Sequence, residues 1–223
     1  MIDSTLGLLV GSDAMDPAKI GELTAKLEKQ LKENPNVTQT WLMLGNGYYL
    51  QGKIAMAIGV FEKAIGVNPQ FPYFHYYLGI CFYRAIRLDE AIIALKKVVE
   101  LAPSMVMANY WLGIAYFHKG AYKESRLAFE SLLQGNSEST IAHYHAALAC
   151  IASQDLNSAR SHLETLVKLG NKDPQVFVHL GEVNFRMNRI DDAIAVYRQG
   201  LELNPGNIPL QKALSYLTDI QWP

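Results

Sequence analysis

The sequence predicts an all-α fold in which helix hairpins stack into a right-handed α-α superhelix. The first observation is a Leu-Gly pair that recurs at whole multiples of 34 residues, at 44–45, 78–79, 112–113 and 180–181. The second is a proline in the same frame near the end of three of these segments, at Pro69, Pro103 and Pro205. A fixed period of this length is typical of two-helix repeats, whose neighbours stack to bury a continuous core.

The repeated residues fall into small and large types with different tasks. Small residues at the Leu-Gly pair and at Ala57 allow two helix axes to approach closely. Large side chains such as Trp41 and Phe61 fill the space between those contacts. Proline then ends each second helix, because it lacks an amide hydrogen and disfavours helix in the preceding residue.

This residue set resembles the tetratricopeptide repeat (TPR), a helix–turn–helix unit, over roughly residues 38 to 207. The resemblance implies a TPR solenoid that binds proteins. The predicted division is a degenerate N-terminal repeat or helix at 1–37, repeats at 38–71, 72–105 and 106–139, a degenerate repeat at 140–173, a repeat at 174–207 and a C-terminal capping helix at 208–223. Within the family, the chain is similar to magnetosome-associated scaffolds of the MamA type and to cytochrome-c-maturation TPR proteins.

The frame also predicts where individual helices lie. The repeats should contain helix pairs at 38–50 and 54–67, 72–85 and 88–101, 106–119 and 122–134, 139–152 and 156–169, and 174–187 and 190–203. An amphipathic helix over 18–34 precedes them, with Pro17 at its start. A further helix begins at 208, with Leu210, Leu214 and Leu217 on one face.

Composition excludes several functional classes. The formal net charge is −1 without a long run of either sign, whereas nucleic-acid binding needs a clustered basic surface. No stretch has the length of a membrane span, so direct membrane insertion is not expected. A cytoplasmic location is the expectation, with attachment to a membrane or organelle only through a partner. Cys81 and Cys150 are expected to be reduced core residues.

The first helices of a TPR line its concave surface, and three rows of apolar side chains recur on them. The first row is Tyr76, Tyr110 and Tyr144, the second is Ile80, Ile114 and Leu148, and the third is Tyr83, Phe117 and Ile151, flanked by Tyr73 and Met107. The spacing i, i+4, i+7 places the three residues of each repeat on one stripe of its helix. The rows predict a groove for an apolar or amphipathic peptide. The alternative is that they pack against neighbouring first helices.

A known binding mode of the family is not expected in this chain. TPRs that capture chaperone C-terminal carboxylates use lysine, arginine and asparagine on successive first helices. Only Asn46 fits that pattern, and the other matching positions hold Leu42, Tyr77, Met107 and Trp111. An acidic tail would be desolvated against hydrocarbon at those positions.

Residues typical of an enzyme are not expected either. His143 and His145 are two residues apart on a predicted helix and therefore point to different faces. His75 and His143 occupy the repeat position of Trp41, which indicates a packing role. Neither a metal site nor a cofactor site is predicted, and Gly45-Asn46-Gly47 lies inside a helix without the lysine of a phosphate loop.

The sequence therefore favours a non-enzymatic scaffold that binds a protein or peptide ligand, with an assembly chaperone that shields client segments as the alternative. Self-association is a further hypothesis. It rests on an apolar segment that lies outside the well-formed repeats and comprises Leu6, Leu8, Leu9 and Val10. Docked into the groove of a second copy, such a segment would make a head-to-tail contact that can propagate into a homo-oligomer.

Overall fold

The computed structural model describes residues 17–219, and this range contains only α-helices and their connections. The helices are α1 (Pro17–Glu33), α2 (Thr38–Leu50), α3 (Ile54–Val67), α4 (Pro72–Arg84), α5 (Leu88–Leu101), α6 (Met107–His118), α7 (Tyr122–Leu133), α8 (Thr140–Ala152), α9 (Leu156–Lys168), α10 (Pro174–Arg186), α11 (Ile190–Leu203) and α12 (Ile208–Asp219). Consecutive helices pack against one another within α1–α5 and within α7–α12. The predicted all-α class is confirmed, with the helix packing of a TPR solenoid.

The second helices end where the sequence predicts. Helices α3, α5 and α11 stop two residues before Pro69, Pro103 and Pro205 respectively. Proline cannot supply a backbone amide to continue the helix, and the residue before it is pushed towards extended conformations. These breaks are therefore fixed locally, before any packing between repeats.

The turn inside each hairpin contains one residue in the left-handed region, again every 34 residues. These residues are Gly52, Ile86, Gly120, Gln154 and Asn188, with φ between 59° and 81°. Glycine and asparagine adopt this conformation readily, whereas a β-branched side chain there is an outlier. Ile86 is also 82% exposed, so burial does not offset the strain.

The glycines of the Leu-Gly pairs are positions of close approach between the two helices of a hairpin. A Cβ atom added at Gly45 would overlap the ring of Phe61, and one added at Gly181 would overlap the ring of Tyr197. Any larger residue would force the helices apart, which confirms the predicted role of these glycines. The facing column of large side chains is buried and comprises Phe61, Leu95, Phe129, Leu163 and Tyr197.

A side-chain hydrogen bond recurs at the start of four first helices. The donors reach the carbonyl oxygen six residues earlier, in the pairs Trp41 to Pro35 (2.7 Å), His75 to Pro69 (2.8 Å), His143 to Ser137 (2.9 Å) and Gln211 to Pro205 (2.8 Å). The packing role predicted for His75 and His143 is therefore incomplete, because each ring also anchors the preceding turn. An indole, an imidazole and an amide all present an N–H at the reach this bond needs.

The described chain divides into two compact units, one ending at Ala115 and the other beginning at Tyr116. The N-terminal unit is built around one cluster that includes Phe61, Phe74 and Leu78. The C-terminal unit holds one cluster around Leu163 and another that α12 completes with its buried leucines. We refer to these as the N-terminal and C-terminal units.

Both cysteines are buried free thiols, one in each unit. Burial raises the pKa of Cys81 and of Cys150 to about 12, so the thiolate is suppressed. This confirms their predicted place in the core. None of the helices between residues 17 and 219 is both long and apolar enough to cross a membrane.

Candidate functional site

The first helices of the N-terminal unit carry a group of aromatic rings in mutual contact. We call Tyr76, Tyr77, Tyr83, Tyr110 and Trp111 the aromatic cluster. The indole Nε1–H of Trp111 donates a hydrogen bond of 3.2 Å to the Tyr76 hydroxyl, and the Tyr83 ring lies 5.5 Å from that of Trp111. All five rings are half-buried, so each combines packed faces with surface open to solvent.

The repeat frame explains why these rings meet. Tyr76 and Tyr83 are seven residues apart on α4 and therefore lie on one face of that helix. Tyr110 and Trp111 occupy α6 one period after Tyr76 and Tyr77. Stacked repeats bring equivalent helices side by side, so the rings of α4 and α6 come into contact.

The surface of the first helices in this half of the chain is almost without charge. Helices α2, α4 and α6 contain no aspartate or glutamate, and Arg84 is their only lysine or arginine. The Arg84 guanidinium is 5.6 Å from the centre of the Tyr49 ring. Burial raises the pKa of Tyr76 and of Tyr83, so both phenols stay neutral.

The predicted groove residues of the N-terminal unit differ in accessibility. Tyr73, Tyr76, Tyr83, Tyr110 and Ile114 are half-buried, and Met107 is 50% exposed. Ile80, in contrast, is only 7% exposed. Ile80 therefore contributes to the core and offers little surface to a ligand.

The remaining predicted groove residues belong to the C-terminal unit. Phe117, Tyr144, Leu148 and Ile151 are all half-buried. The Phe117 ring is 5.4 Å from that of Tyr122, while Tyr144 and Ile151 pack against the core of this unit. These four residues belong to the C-terminal unit. The candidate site is therefore the part of the predicted groove that lies in the N-terminal unit.

Sequence reasoning missed one row of first-helix residues. Tyr77, Trp111, His145 and His179 are spaced by 34 residues, directly before the position of the Leu-Gly leucine, and all are half-buried. The spacing was a signal that could have revealed them. The row was not recognised because its members differ in residue type: Tyr77 and Trp111 are large aromatics, whereas the other two are histidines.

A second feature that the sequence did not reveal is an apolar pocket in the N-terminal unit, formed by α3, α4 and α5. It has a volume of about 620 Å³ and is lined by apolar side chains of α3, α4 and α5, including Ile65, Leu78, Phe82 and Ile93. Charged residues of both signs surround it, among them Glu62 and Lys97. Ile93 in this lining is 68% exposed.

The C-terminal unit contains a cluster of titratable side chains from three helices. The Nδ1 atoms of His143 and His162 are 3.0 Å apart, and the Nε2 atom of His162 is 3.6 Å from a carboxylate oxygen of Glu130. His143 is buried and His162 largely so. Within residues 17–219, no three histidine, cysteine or acidic side chains are grouped so as to hold a metal ion.

Two other sequence predictions concern the carboxylate clamp and self-association. Asn46, which alone matched the carboxylate clamp, is 8% exposed and is not available to a ligand. The segment proposed for self-association, Leu6, Leu8, Leu9 and Val10, lies outside the described residues.

Comparison with protein families and solved structures adds to this geometry. The model of the tetratricopeptide repeat family matches residues 42–106, 94–140 and 144–208, which together span most of the chain. The chain belongs to the tetratricopeptide repeat family. No curated relative was found by sequence comparison.

Several solved TPR structures are similar to this chain. YrrB is 14% identical, with a TM-score of 0.73 over 84% of this chain and 96% of its own. MamA from Desulfovibrio magneticus RS-1, residues 41 to the end, is 19% identical, with a TM-score of 0.69 over 77% of this chain and 97% of its own. PilF from Pseudomonas aeruginosa is 17% identical, with a TM-score of 0.68 over 95% of both chains.

At these identities the similarity shows the fold alone. The resemblance to MamA-type scaffolds that the sequence predicts is confirmed at that level. TPR proteins are typically non-catalytic modules that bind other proteins, so the fold supports a protein–protein interaction scaffold.

Proposed function

We propose that this TPR chain is a scaffold whose aromatic cluster binds an apolar or amphipathic segment of another protein. The observation that carries the proposal is the combination of five half-buried aromatic rings with first helices, α2, α4 and α6, that contain no carboxylate. Tyrosine and tryptophan supply large contact areas and also hydrogen-bonding groups, and for that reason they are enriched among residues that dominate binding energy.

The hydrogen bond between Trp111 and Tyr76 supports this role. It holds two rings in fixed positions before any ligand arrives, and rings that are already ordered lose less conformational entropy on binding. The contact of Tyr83 with Trp111 extends the ordered surface along α4. A partner helix or extended segment would then bury the open faces of the rings.

The class of ligand is supported by a protein of the same fold. YrrB is described as a TPR protein with an unusual peptide-binding site. In this chain, a peptide with several apolar side chains fits the cluster better than an acidic tail, because Asn46 is buried and Arg84 is the only lysine or arginine on α2, α4 and α6.

Panning a phage-displayed library of random dodecapeptides on the chain, followed by calorimetry with the synthesised peptides that bind, tests the proposal. We expect dissociation constants on the order of micromolar, which correspond to binding free energies of about −8 kcal/mol. Tyr110→Ala should weaken binding by about 1–3 kcal/mol, because it removes a partly open ring that packs on Trp111. Tyr216→Ala is the matched control, since Tyr216 is an exposed tyrosine of α12 in the other unit.

The same variants separate binding from folding. Leu112→Ala removes a side chain that is only 5% exposed and should lower the free energy of unfolding by about 2–5 kcal/mol, while Tyr110→Ala should lower it much less. Equal losses of melting temperature in both variants would show that Tyr110 is a core residue. Equal losses of peptide affinity in Tyr110→Ala and Tyr216→Ala would contradict a site on the first helices.

Binding to the cluster should also be nearly independent of salt. The first helices of this unit carry a single charged side chain, so few interactions are available for ionic screening. Calorimetric titrations at low and moderate ionic strength check this. A steep loss of affinity with added salt would indicate an electrostatic partner and a different surface.

Self-association through Leu6, Leu8, Leu9 and Val10 stays a prediction that the sequence alone supports. Light scattering should detect a concentration-dependent increase in mass for the full chain that is lost in a chain starting at Asp16. Identical monomer masses for both proteins would leave the aromatic cluster to a foreign partner.

A further inference from the structure

In the cluster of Glu130, His162 and His143, the geometry determines which ring nitrogens carry protons. The carbonyl oxygen of Ser137 can only accept a hydrogen bond, so the Nε2 atom of His143, 2.9 Å away, must carry its proton. A neutral His143 then has a bare Nδ1 atom, which accepts. The hydrogen on the 3.0 Å contact between the two Nδ1 atoms must therefore come from His162.

The second ring nitrogen of His162 faces a carboxylate. Its Nε2 atom lies 3.6 Å from an oxygen of Glu130, which also accepts from Arg126 at 3.4 Å. In neutral His162 this nitrogen is bare and makes no hydrogen bond there. A single added proton at Nε2 turns it into a donor towards Glu130 without disturbing the bond to His143.

A second added proton would have no hydrogen-bond acceptor in this arrangement. It would have to bind Nδ1 of His143, and two N–H groups would then point at each other across 3.0 Å. The two rings would also both be positively charged in a site where His143 is 8% exposed. The closed arrangement thus accepts one proton on two histidines, while the same rings in water accept two.

We propose that Glu130, His162, His143 and the Ser137 carbonyl form a proton-gated latch between α7, α8 and α9. The latch holds the turn at 135–139 against the start of α8 while the two rings carry at most one proton, and it opens when both rings become protonated. The proposal makes this turn a pH-sensitive joint, and it stands independently of the ligand of the aromatic cluster.

The charged groups around the latch come from each helix that packs on it. Helix α7 contributes Arg126 and Glu130, and the start of α9 contributes Asp155, whose carboxylate is 3.9 Å from Arg126. His145 of α8 points elsewhere and stacks on Phe129. Burial lowers the pKa of His162 and the neighbouring His143 lowers it further, against an opposing effect of Glu130.

The backbone of the turn shows what opening would release. Ser139 caps α8 by accepting from the Ala142 amide, and its carbonyl accepts from the His143 amide. Ser137 itself is exposed, and its carbonyl is held by the His143 ring. Loss of that bond leaves the turn held only by its own short-range hydrogen bonds, so the amides at the start of α8 should exchange faster with solvent.

Hydrogen exchange of the full chain, read by NMR for the amides of residues 139–144, tests the latch between about pH 7 and pH 5. Both rings titrate near about pH 6.5 in the open state, whereas the closed state takes one proton at most and takes it at the lowered pKa of His162. Well below about pH 6.5 the open state therefore binds at least one proton more, so the opening constant should rise by about tenfold or more per pH unit, after correction for the intrinsic pH dependence of exchange. Imidazole ¹⁵N shifts should show His143 protonated at Nε2 and the two rings titrating in two separated steps.

Matched variants distinguish the latch from a general loss of stability. In His143→Gln the amide keeps a donor for the Ser137 carbonyl, as Gln211 does for Pro205, but cannot titrate, so the acid-induced increase should be strongly reduced. His162→Gln should reduce it as well. His75→Gln makes the same replacement at the same repeat position in the other unit and should leave the increase unchanged. An increase that survives undiminished in both His143→Gln and His162→Gln, or two rings that titrate independently, would overturn the proposal.

Discussion

One aromatic stack occurs in both units with a different partner ring. In the N-terminal unit, Phe61 stacks on Tyr77 with ring centroids 5.8 Å apart and planes 13° from parallel. In the C-terminal unit, Phe129 stacks on His145 at 5.0 Å and 17°. Both pairs hold the same places in the 34-residue frame. The backbone fold therefore sets the stack, and the sequence sets whether the stack responds to acid.

The same contrast extends to other positions. Trp111 of the N-terminal unit corresponds to His145 and His179 of the C-terminal unit. Burial lowers the pKa of His145, of His162 and of His179, so protonation of each opposes folding. Repeats of one fold can thus present a surface of constant charge in one half and of variable charge in the other.

The largest expected effect tests what the units share. Phe61→Ala and Phe129→Ala each remove a ring with no exposed surface, and each should lower the free energy of unfolding by about 3–5 kcal/mol. Urea unfolding followed by circular dichroism measures both losses. A loss below about 1 kcal/mol in either variant would show that Phe61 and Phe129 do not contribute equally to the stability of their units.

An intermediate effect tests what separates the units. A histidine whose pKa is lowered by folding leaves stability intact above the unfolded value of about 6.5, and stability falls as the pH drops below it, by at most about 1.4 kcal/mol per pH unit. His145→Tyr should therefore reduce the destabilisation between about pH 7 and pH 5. Tyr77→His should introduce such a destabilisation into the N-terminal unit.

Urea midpoints of these proteins at both pH values provide the measurement. His118→Tyr is the control, because it changes an exposed histidine at the end of α6. The contrast between the two units would be contradicted if His145→Tyr and His118→Tyr changed the pH dependence of the urea midpoint equally.

The smallest effect concerns the left-handed turn residue. Ile86→Gly should stabilise the chain by about 0.5–1 kcal/mol, because it relieves a β-branched residue at φ 60° at some entropic cost. Asn188→Gly at the equivalent turn should change stability by only a few tenths of a kcal/mol, since asparagine tolerates this region. Thermal unfolding of both variants measures the difference, and a destabilised Ile86→Gly protein would show that the Ile86 side chain has a folding role.

Much of the fold could be predicted from the sequence because its determinants are local. Proline positions end the second helices, and the Leu-Gly pairs mark the close contacts, so the observed helices lie within about a residue of the expected ones. The aromatic cluster was predicted in part, through Tyr76, Tyr83 and Tyr110. The burial of Ile80 was not, because a helix stripe shows which residues share a face but not how deeply that face is covered.

The histidine cluster lay beyond sequence reasoning for a different reason. His143 and His162 are 19 residues apart on different helices, and no motif connects them. Their contact depends on which ring atoms face each other, and residue type does not carry that information. The same limit applied to Trp111, whose bond to Tyr76 depends on the packing of α4 against α6.

The side-chain bond at the start of the first helices has a consequence for how such chains can grow. In these four cases the donor and its acceptor are six residues apart, so each of the four repeats carries its own hydrogen bond to the turn that leads into it. A duplicated or deleted repeat brings or removes the complete device, without a matching change in its neighbour. Because an indole, an imidazole or an amide serves equally, the position can also drift in sequence while the junction stays intact. Repeats that carry this bond can therefore differ in sequence at the donor position and keep the same junction with the preceding turn.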